Sequence, residues 1–416
     1  MKKICIFTNT FYPEYGAAPN RLLHTALGLK NAGYQVEVIT GIPNYPFGKF
    51  YKGYKAKFFF SEKYQGIKIN RFWLFPSHND SSIHRFLTMF SLAFSVLLAL
   101  PLFIRKKPDY ILLQYPPVAL AFPAIIYKKL TKAKFIVNVS DLWPLAIQDM
   151  GYTSHNSIFY RLLYKLEKIT YNQADLLLAQ SNEIKAYLQS SDKKREVLLF
   201  RTAVDCAKFK PANHSKKTDK PIHIMYAGVL GLAHGIYDLC KNIDLAHNNV
   251  KLSIYGEGFD KKKIESFIES NPQKNILLNS MIDQQQLIKK MQDADIILIA
   301  QKTRIYGTVP SKIYEAMALG KPVLFHGAGE GADIIRQADC GLISHPSDFE
   351  QLNKNLNTLL NCNVIVRDNM GKRGREAALK YYNRKIQLNN LINTLKSVEL
   401  GKSNTNPQKF YAKNIF

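Results

Sequence analysis

Short apolar runs alternate along this chain with segments whose apolar residues recur every three or four positions. KICIFT (3–8), QVEVIT (35–40), YILLQ (110–114) and KFIVNV (134–139) read as buried strands. RLLHTALGLKNAGY, between the first two, has its apolar residues spaced for one helix face. Strand then helix, repeated, implies right-handed crossovers and a parallel sheet. Near residue 205 the pattern weakens into DCAKFKPANHSKKTDKP, polar, basic and bounded by proline, which reads as a linker. A second series follows: IHIMYAG (222–228), LSIYG (252–256), NILLN (275–279), DIILIA (295–300) and PVLFH (322–326). The expectation is an α/β protein of two Rossmann-like domains, 1–205 and 206–382. A helix within 383–400 should follow, returning to the first domain, and then a mobile basic and aromatic tail at 401–416. No internal repeat is visible.

One stretch breaks the rhythm. Phe86 to Ile104 carries no charge and is flanked by His84-Arg85 and Arg105-Lys106-Lys107. Its length suits a membrane span, but a span there would put neighbouring strands of one sheet on opposite sides of a bilayer. It therefore reads as a buried helix or as one lying in a membrane interface.

Length and composition narrow the class. A chain of 416 residues suits two domains and buries enough surface to fold without disulfide or metal staples. With 46% hydrophobic residues it is neither disordered nor fibrous. Its 57 Lys and Arg against 32 Asp and Glu give a net charge of +25, spread over both halves. Such a surface is either a solvated basic face or an attractor of nucleic acid, anionic lipid or phosphorylated small molecules. Five cysteines, far apart and in no metal spacing, fit a reducing cytosol, and the N-terminus reads as a strand rather than a signal peptide.

Ligands of parallel sheets bind at the carboxyl ends of strands, where glycine turns open helices. Gly16-Ala17-Ala18 follows the first strand, Gly228, Gly231 and Gly235 open the second half, and Gly256 and Gly258 follow its second strand. Helix-capping glycines would look the same. None matches a dinucleotide fingerprint or a P-loop, which argues against dehydrogenases and P-loop ATPases. Three turns so placed suit a phosphate-bearing ligand held by backbone N–H groups.

RIYGTVPSKIYEAMALGKPVLF (304–325) says more. Pro310 pre-sets a turn, Ser311 is placed to cap a helix, and Lys312 and Glu315 then share a face. A lysine at a helix start is electrostatically unfavourable unless an anion sits there, and Glu315 could accept two vicinal ribose hydroxyls. A surface Lys–Glu pair is the plainer alternative. In the first half, Asp141 of VNVSDLWP stands at a strand's carboxyl end and could orient an attacking hydroxyl, or serve as a turn or cap residue. Asp293-Ala294-Asp295 precedes its strand and is a poor metal site. The Lys and aromatic tract 44–60 reads as a membrane-facing or acceptor-binding loop rather than a nucleic-acid site. The histidines show no metal spacing.

Taken together, FYPEYGAAPNRLLHTALGLKNAGYQVEVITGIPNYP, SDLWP, VDCAKF, YAGVLGLAHG and GTVPSKIYEAMALGKPVL resemble the retaining GT-B-fold glycosyltransferases of family 4 over roughly residues 3 to 395. GIPNYP, DLWP and PSKIYE are similar to bacterial enzymes of surface-polysaccharide assembly, the N-acetyl-fucosamine transferases among them. The resemblance implies two Rossmann-like domains facing across a cleft. A nucleotide-sugar donor, UDP-linked by analogy, would bind the second half and a polyprenyl-diphosphate-linked saccharide the first.

The resemblance also distributes roles. Glu315 matches the second glutamate of the family's paired motif, which holds the donor ribose, whereas the first falls at Gly307. The donor loop over Gly228, Gly231, Gly235 and Gly256 lacks the usual Arg and Lys. Arg304, Lys312 and backbone N–H groups around Thr308 and Ser311 would then hold the diphosphate. Thr202-Ala203 replaces the family's Asn-Gly, and Asp141 stands where many members use histidine. Gly16 and Ala17 would form an acceptor or phosphate loop. Lys312 and helix N-termini would stabilise the leaving diphosphate, with no metal or cofactor required. A cytoplasmic enzyme, held peripherally on the inner face of the cytoplasmic membrane and indifferent to nucleic acid, is the expectation. An epimerase-like nucleotide-sugar enzyme and a non-enzymatic basic lipid- or nucleic-acid-binding protein are the alternatives.

Overall fold

The computed structural model describes residues 1–399 except 15, 46, 55–56, 78–81, 152, 191–195, 213–220 and 246–248; the tail at 401–416 lies outside the described residues, as does 213–220 of the linker. The chain divides into two compact units, Met1–Arg201 together with the residues from Gln387 onward, and Thr202–Ile386. These junctions differ from 205/206 and 382/383, for a local reason. Val204 and Asn383 form a parallel bridge, with Val204 N donating to Tyr382 O (3.0 Å) and Arg384 N to Val204 O (2.9 Å). Arg375 donates to the carbonyls of Cys206 and Phe209 at 3.0 and 2.7 Å. Both flanks of the expected junctions are thus bound into the second unit.

The first unit holds β1 (Lys3–Phe7), β2 (Gln35–Gly41), β3 (Phe59–Tyr64), β4 (Ile67–Phe72), β5 (Tyr110–Tyr115), β6 (Lys134–Val139), β7 (Leu176–Ala179) and β8 (Val197–Leu199), in the order β3-β4-β2-β1-β5-β6-β7-β8. All neighbours are parallel except the β3–β4 hairpin. The second unit holds β9 (Ile222–Ala227), β10 (Val250–Tyr255), β11 (Ile276–Asn279), β12 (Ile296–Ala300), β13 (Val323–His326) and β14 (Gly341–Ser344), all parallel, in the order β11-β10-β9-β12-β13-β14. Strands covered on both faces must be apolar nearly throughout, and β5 and β12 are buried at every position. In each sheet the first strand is flanked by strands reached in opposite directions. That creates a crevice beyond the carboxyl ends of β1 and β5, and another beyond β9 and β12.

The last described helix, Arg384–Glu399, belongs mostly to the first unit. Leu391, Ile392 and Leu395 lie in one buried cluster with Ile4, Ile6, Leu22 and Val38, and Leu388 packs against it. Leu388 sits so tightly on Gly28 that a Cβ there would lie 2.0 Å from its Cδ2.

The uncharged stretch forms helix Ser82–Ala99 and two 3-10 turns, Leu100–Leu102 and Ile104–Lys106. Leu92, Val96, Ala99, Leu100 and Phe103 face the core, while Phe94, Leu97, Leu98 and Leu102 are exposed. It is therefore neither wholly buried nor wholly exposed, and among the described residues no helix is long and apolar enough to cross a membrane. The aromatic tract does not remain a loop to its end. Phe59 opens β3 and packs on Phe72 and Phe103, with ring centroids 5.1 and 5.7 Å apart, whereas Tyr45, Phe47 and Phe58 are exposed.

A buried carboxyl lends the first unit a pH dependence. Glu167 accepts hydroxyl hydrogen bonds from Tyr171 and Tyr187, each 3.0 Å, and burial raises its pKa to about 7. A carboxyl raised in the folded state holds its proton there after the unfolded chain has lost it. Its contribution to stability is thus full below the unfolded value and lost as pH rises through the folded one. Glu167→Gln keeps an acceptor for the tyrosines without a charge. The variant should melt at or above the parent's temperature near pH 8 and lose that advantage near pH 5. Equal destabilisation at both values in thermal melts would refute this origin.

Candidate active site

In the second unit the turns beyond β9 and β10 press together backbone to backbone. A Cβ on Gly256 would stand 2.1 Å from the carbonyl oxygen of Gly228, and one on Gly258 would stand 2.4 Å from that of Leu230. Gly231 has room, its nearest neighbour being Val229 Cγ1 at 3.6 Å. Gly235 ends this turn against Lys302, whose N–H donates to Ala233 O (2.9 Å) and whose Nζ pairs with Asp238 (3.1 Å). The glycine turn of β9 and the segment after β12 therefore meet at the crevice.

That segment continues to Arg304, whose guanidinium lies 5.8 Å from the ring centroid of Tyr306, and to Gly307, buried with φ +84°. Thr308 N donates to Ile305 O (3.2 Å), closing the turn before Pro310. Helix Ser311–Ala318 then begins, and here the structure corrects the sequence. Pro310 holds the N-cap position, Ser311 is the first helical residue, and no side chain caps the end. The locked φ of proline starts the helix without a hydroxyl. Ile313, Tyr314 and Met317 are buried, which fixes the opposite face. On it Lys312 Nζ meets Glu315 Oε2 at 2.7 Å, with side chains 26% and 17% exposed. The pair exists, but as a half-buried one at the sheet's carboxyl edge rather than on an open surface. Arg384, its pKa lowered by burial, is held up in turn by the charges of Asp205 and Glu315.

Sequence patterns did not single out the polar groups beneath this rim. Gln301, the residue after β12, is 6% exposed, and its side-chain oxygen has no hydrogen-bond partner. Glu330 is buried in the first turn of helix Glu330–Ala338, and a Cβ on the next residue, Gly331, would fall 2.9 Å from Ile313 Cδ1. His326 Nδ1 is 2.9 Å from Ser344 Oγ, and burial lowers its pKa to about 4. Desolvation likewise lowers His234 in the glycine turn, so both imidazoles are neutral at physiological pH.

In the first unit Gly16, φ +139°, sits at the N-cap of helix Ala17–Asn31, and a Cβ on it would come 3.3 Å from the Tyr45 ring. The first turn carries no acidic residue, so its N–H groups face the crevice without a built-in counter-charge. Glu14 joins this turn to the one after β2: its carboxylate accepts from the N–H groups of Phe11 (2.8 Å), Asn44 (3.0 Å) and Tyr45 (2.9 Å). Burial outweighs those donors and raises its pKa to about 7.

Asp141 does not cap a helix, since helix Leu145–Asp149 starts later with Pro144 at its N-cap. It ends a polar chain laid across the strand ends. Arg21 donates to Gln180 Oε1 (2.9 Å) and Gln114 Oε1 (3.3 Å), and Asn138 Nδ2 donates to the same Gln114 oxygen (2.8 Å). Gln114 Nε2 donates to Ser140 Oγ (2.9 Å), which lies 3.5 Å from Asp141 Oδ2. Burial lowers the pKa of Arg21 to about 10, against the opposing charge of Asp141. Arg21 went unnoticed in the sequence because its partners lie 93 and 159 residues away.

Asp141, Gly16 and Ala17 thus belong to the first unit and the other candidates to the second. Asp295 serves the fold, accepting from His223 N (2.9 Å), and among the described residues no three His, Cys, Asp or Glu side chains gather to hold a metal.

Two sheets of this topology with their sites at the strand ends define a class, and comparison with known proteins agrees with it. Residues 16–199 match the glycosyl transferase 4-like domain and residues 208–377 the glycosyl transferases group 1. The chain belongs to the GT-B glycosyltransferases built from these two domains. It is 22% identical over 257 residues to the probable glycosyltransferase WbjE of Pseudomonas aeruginosa, a match spanning 58% of this chain and 64% of that relative. Its fold is similar to that of a sucrose-phosphate synthase from Thermosynechococcus elongatus (TM-score 0.77, 16% identity, 97% of this chain and 100% of the other). It is also similar to that of Anabaena HepE in complex with UDP (TM-score 0.68, 12% identity, 95% and 100%).

Proposed function

We propose that this chain transfers a sugar from a uridine-diphosphate donor to a lipid-linked saccharide, with retention of anomeric configuration. It would do so on the inner face of the cytoplasmic membrane, in the assembly of a bacterial surface polysaccharide. The observation that carries the donor half is the Lys312–Glu315 pair at the sheet's carboxyl edge, in the same unit as the glycine turns after β9 and β10, the first of which leaves space at Gly231. The solved UDP complex of HepE and the name of WbjE lend support. Glu315 accepts the ribose hydroxyls, and Lys312, Arg304, the Thr308 hydroxyl and the Ser311 N–H take the diphosphate. As the sugar C1–O bond to phosphate breaks, charge grows on that oxygen, and fixed cations and N–H dipoles stabilise it. The acceptor hydroxyl, oriented by Asp141, forms the new C1–O bond and gives its proton to the departing phosphate. No metal or cofactor enters the scheme.

A nucleotide that binds only the folded state raises the melting temperature by mass action. UDP should do so where GDP, ADP and TDP do not. Glu315→Ala, losing a charged acceptor worth roughly 1.5–3 kcal/mol, should weaken UDP about 10- to 100-fold and abolish the shift at the same concentration. A shift with another base alone would refute uridine, and unchanged affinity in Glu315→Ala would refute the donor site.

A further inference from the structure

Three elements of the first unit present exposed apolar side chains side by side. Helix Ser82–Ala99 packs against helix Ala121–Thr131, and it and helix Ile158–Asn172 both pack on the turn Val118–Leu120. Outward from them stand Phe94 (59% exposed), Leu98 (56%), Phe122, Leu130, Ile158 (85%) and Leu162 (54%). Isolated apolar residues on a surface are ordinary, but this many on three elements packed around one turn mark a binding face.

Charge selects the occupant. Residues 86–107, 121–134 and 158–172 contain a single acidic residue, Glu167, which is 1% exposed and turned to the tyrosines inside. Arg105, Lys107, Lys129, Lys132, Arg161 and Lys165 on the same elements are exposed. A second copy of this chain docked by symmetry would set these cations against one another. An anionic lipid leaflet instead meets them with phosphates while the apolar side chains enter the acyl boundary.

We propose that these three helices form the membrane-docking face of the protein, with anionic lipid as the partner. This rests on the membrane reading above and gives it a location. It also explains why residues 86–99 of the first helix are apolar on both sides: one faces the core, the other the lipid.

The test is co-sedimentation of the full chain with phosphatidylcholine vesicles with and without phosphatidylglycerol. The parent should bind the anionic vesicles and bind neutral ones far less. Arg161→Gln/Lys165→Gln should weaken anionic binding on the order of 25-fold, about fivefold per charge. Phe94→Ser/Leu98→Ser should weaken binding to both vesicle types. Lys262→Gln/Lys372→Gln, exposed lysines of the second unit, should leave it unchanged. A parent that ignores anionic vesicles sinks the membrane reading itself. If the parent binds but the first-unit variants bind equally well, or the second-unit pair loses as much, the docking face is wrong while the membrane reading stands. A parent dimer dissolved by Phe94→Ser/Leu98→Ser would make a second copy the occupant and overturn the proposal.

Discussion

Gly256→Ala should unfold the second unit several degrees earlier and remove nucleotide binding together. The added methyl would lie 2.1 Å from the Gly228 oxygen and 3.1 Å from Leu230 Cγ, a collision with main chain rather than with a side chain that can turn away. The β9 and β10 ends are locked there by Gly228 N donating to Tyr255 O (3.0 Å) and Leu230 N to Glu257 O (2.9 Å), so relief means breaking that register. Overpacking of this kind costs about 3 kcal/mol, or roughly 6–12 °C in a unit of this size. The neighbouring Gly231→Ala, facing only a 3.6 Å contact, should melt like the parent. Calorimetry of the two variants separates them, and equal melting would deny that the turns are as close as described.

Asp141→Asn should depress sugar transfer by roughly 100-fold or more while leaving UDP stabilisation intact. The amide preserves shape but carries no charge, and the groups assigned to the nucleotide belong to the other unit. UDP release from a UDP-sugar that the parent turns over measures the first effect, and thermal shift the second. Arg21→Gln, severing the far end of the polar chain, should cost less alone and add little in the Asp141→Asn background, because coupled residues are not additive. Parental activity in Asp141→Asn would remove that residue from the reaction.

The two sheets were legible because strands buried on both faces are written as short apolar runs, and β1, β2, β5, β6, β9, β10, β11, β12 and β13 stand where those runs stand. The β3–β4 hairpin was not: FFSEKY mixes exposed and half-buried positions on an edge strand, and its aromatics read as a loop. β7, β8 and β14, three or four residues long, were not singled out, although the equally short β11 and β13 were. The glycine turns and the Lys312–Glu315 pair were readable because each is local. Ser311 misled because a serine beside proline satisfies the capping pattern, although the proline alone starts the helix. Arg21, Gln301, Glu330 and Glu14 carried no signal at all, since what makes them notable is burial and partners supplied by distant chain.

The helix that ends the described chain supplies Leu391, Ile392 and Leu395 to a core begun by Ile4 and Ile6. On the ribosome, therefore, the unit that starts first is completed last. Its sheet can pair and the whole of Thr202–Ile386 can emerge and fold while Leu22 and Gly28 still wait for their covering. A nascent chain stopped before Gln387 would carry one finished unit and one with its apolar seam open to chaperones and to other copies of itself.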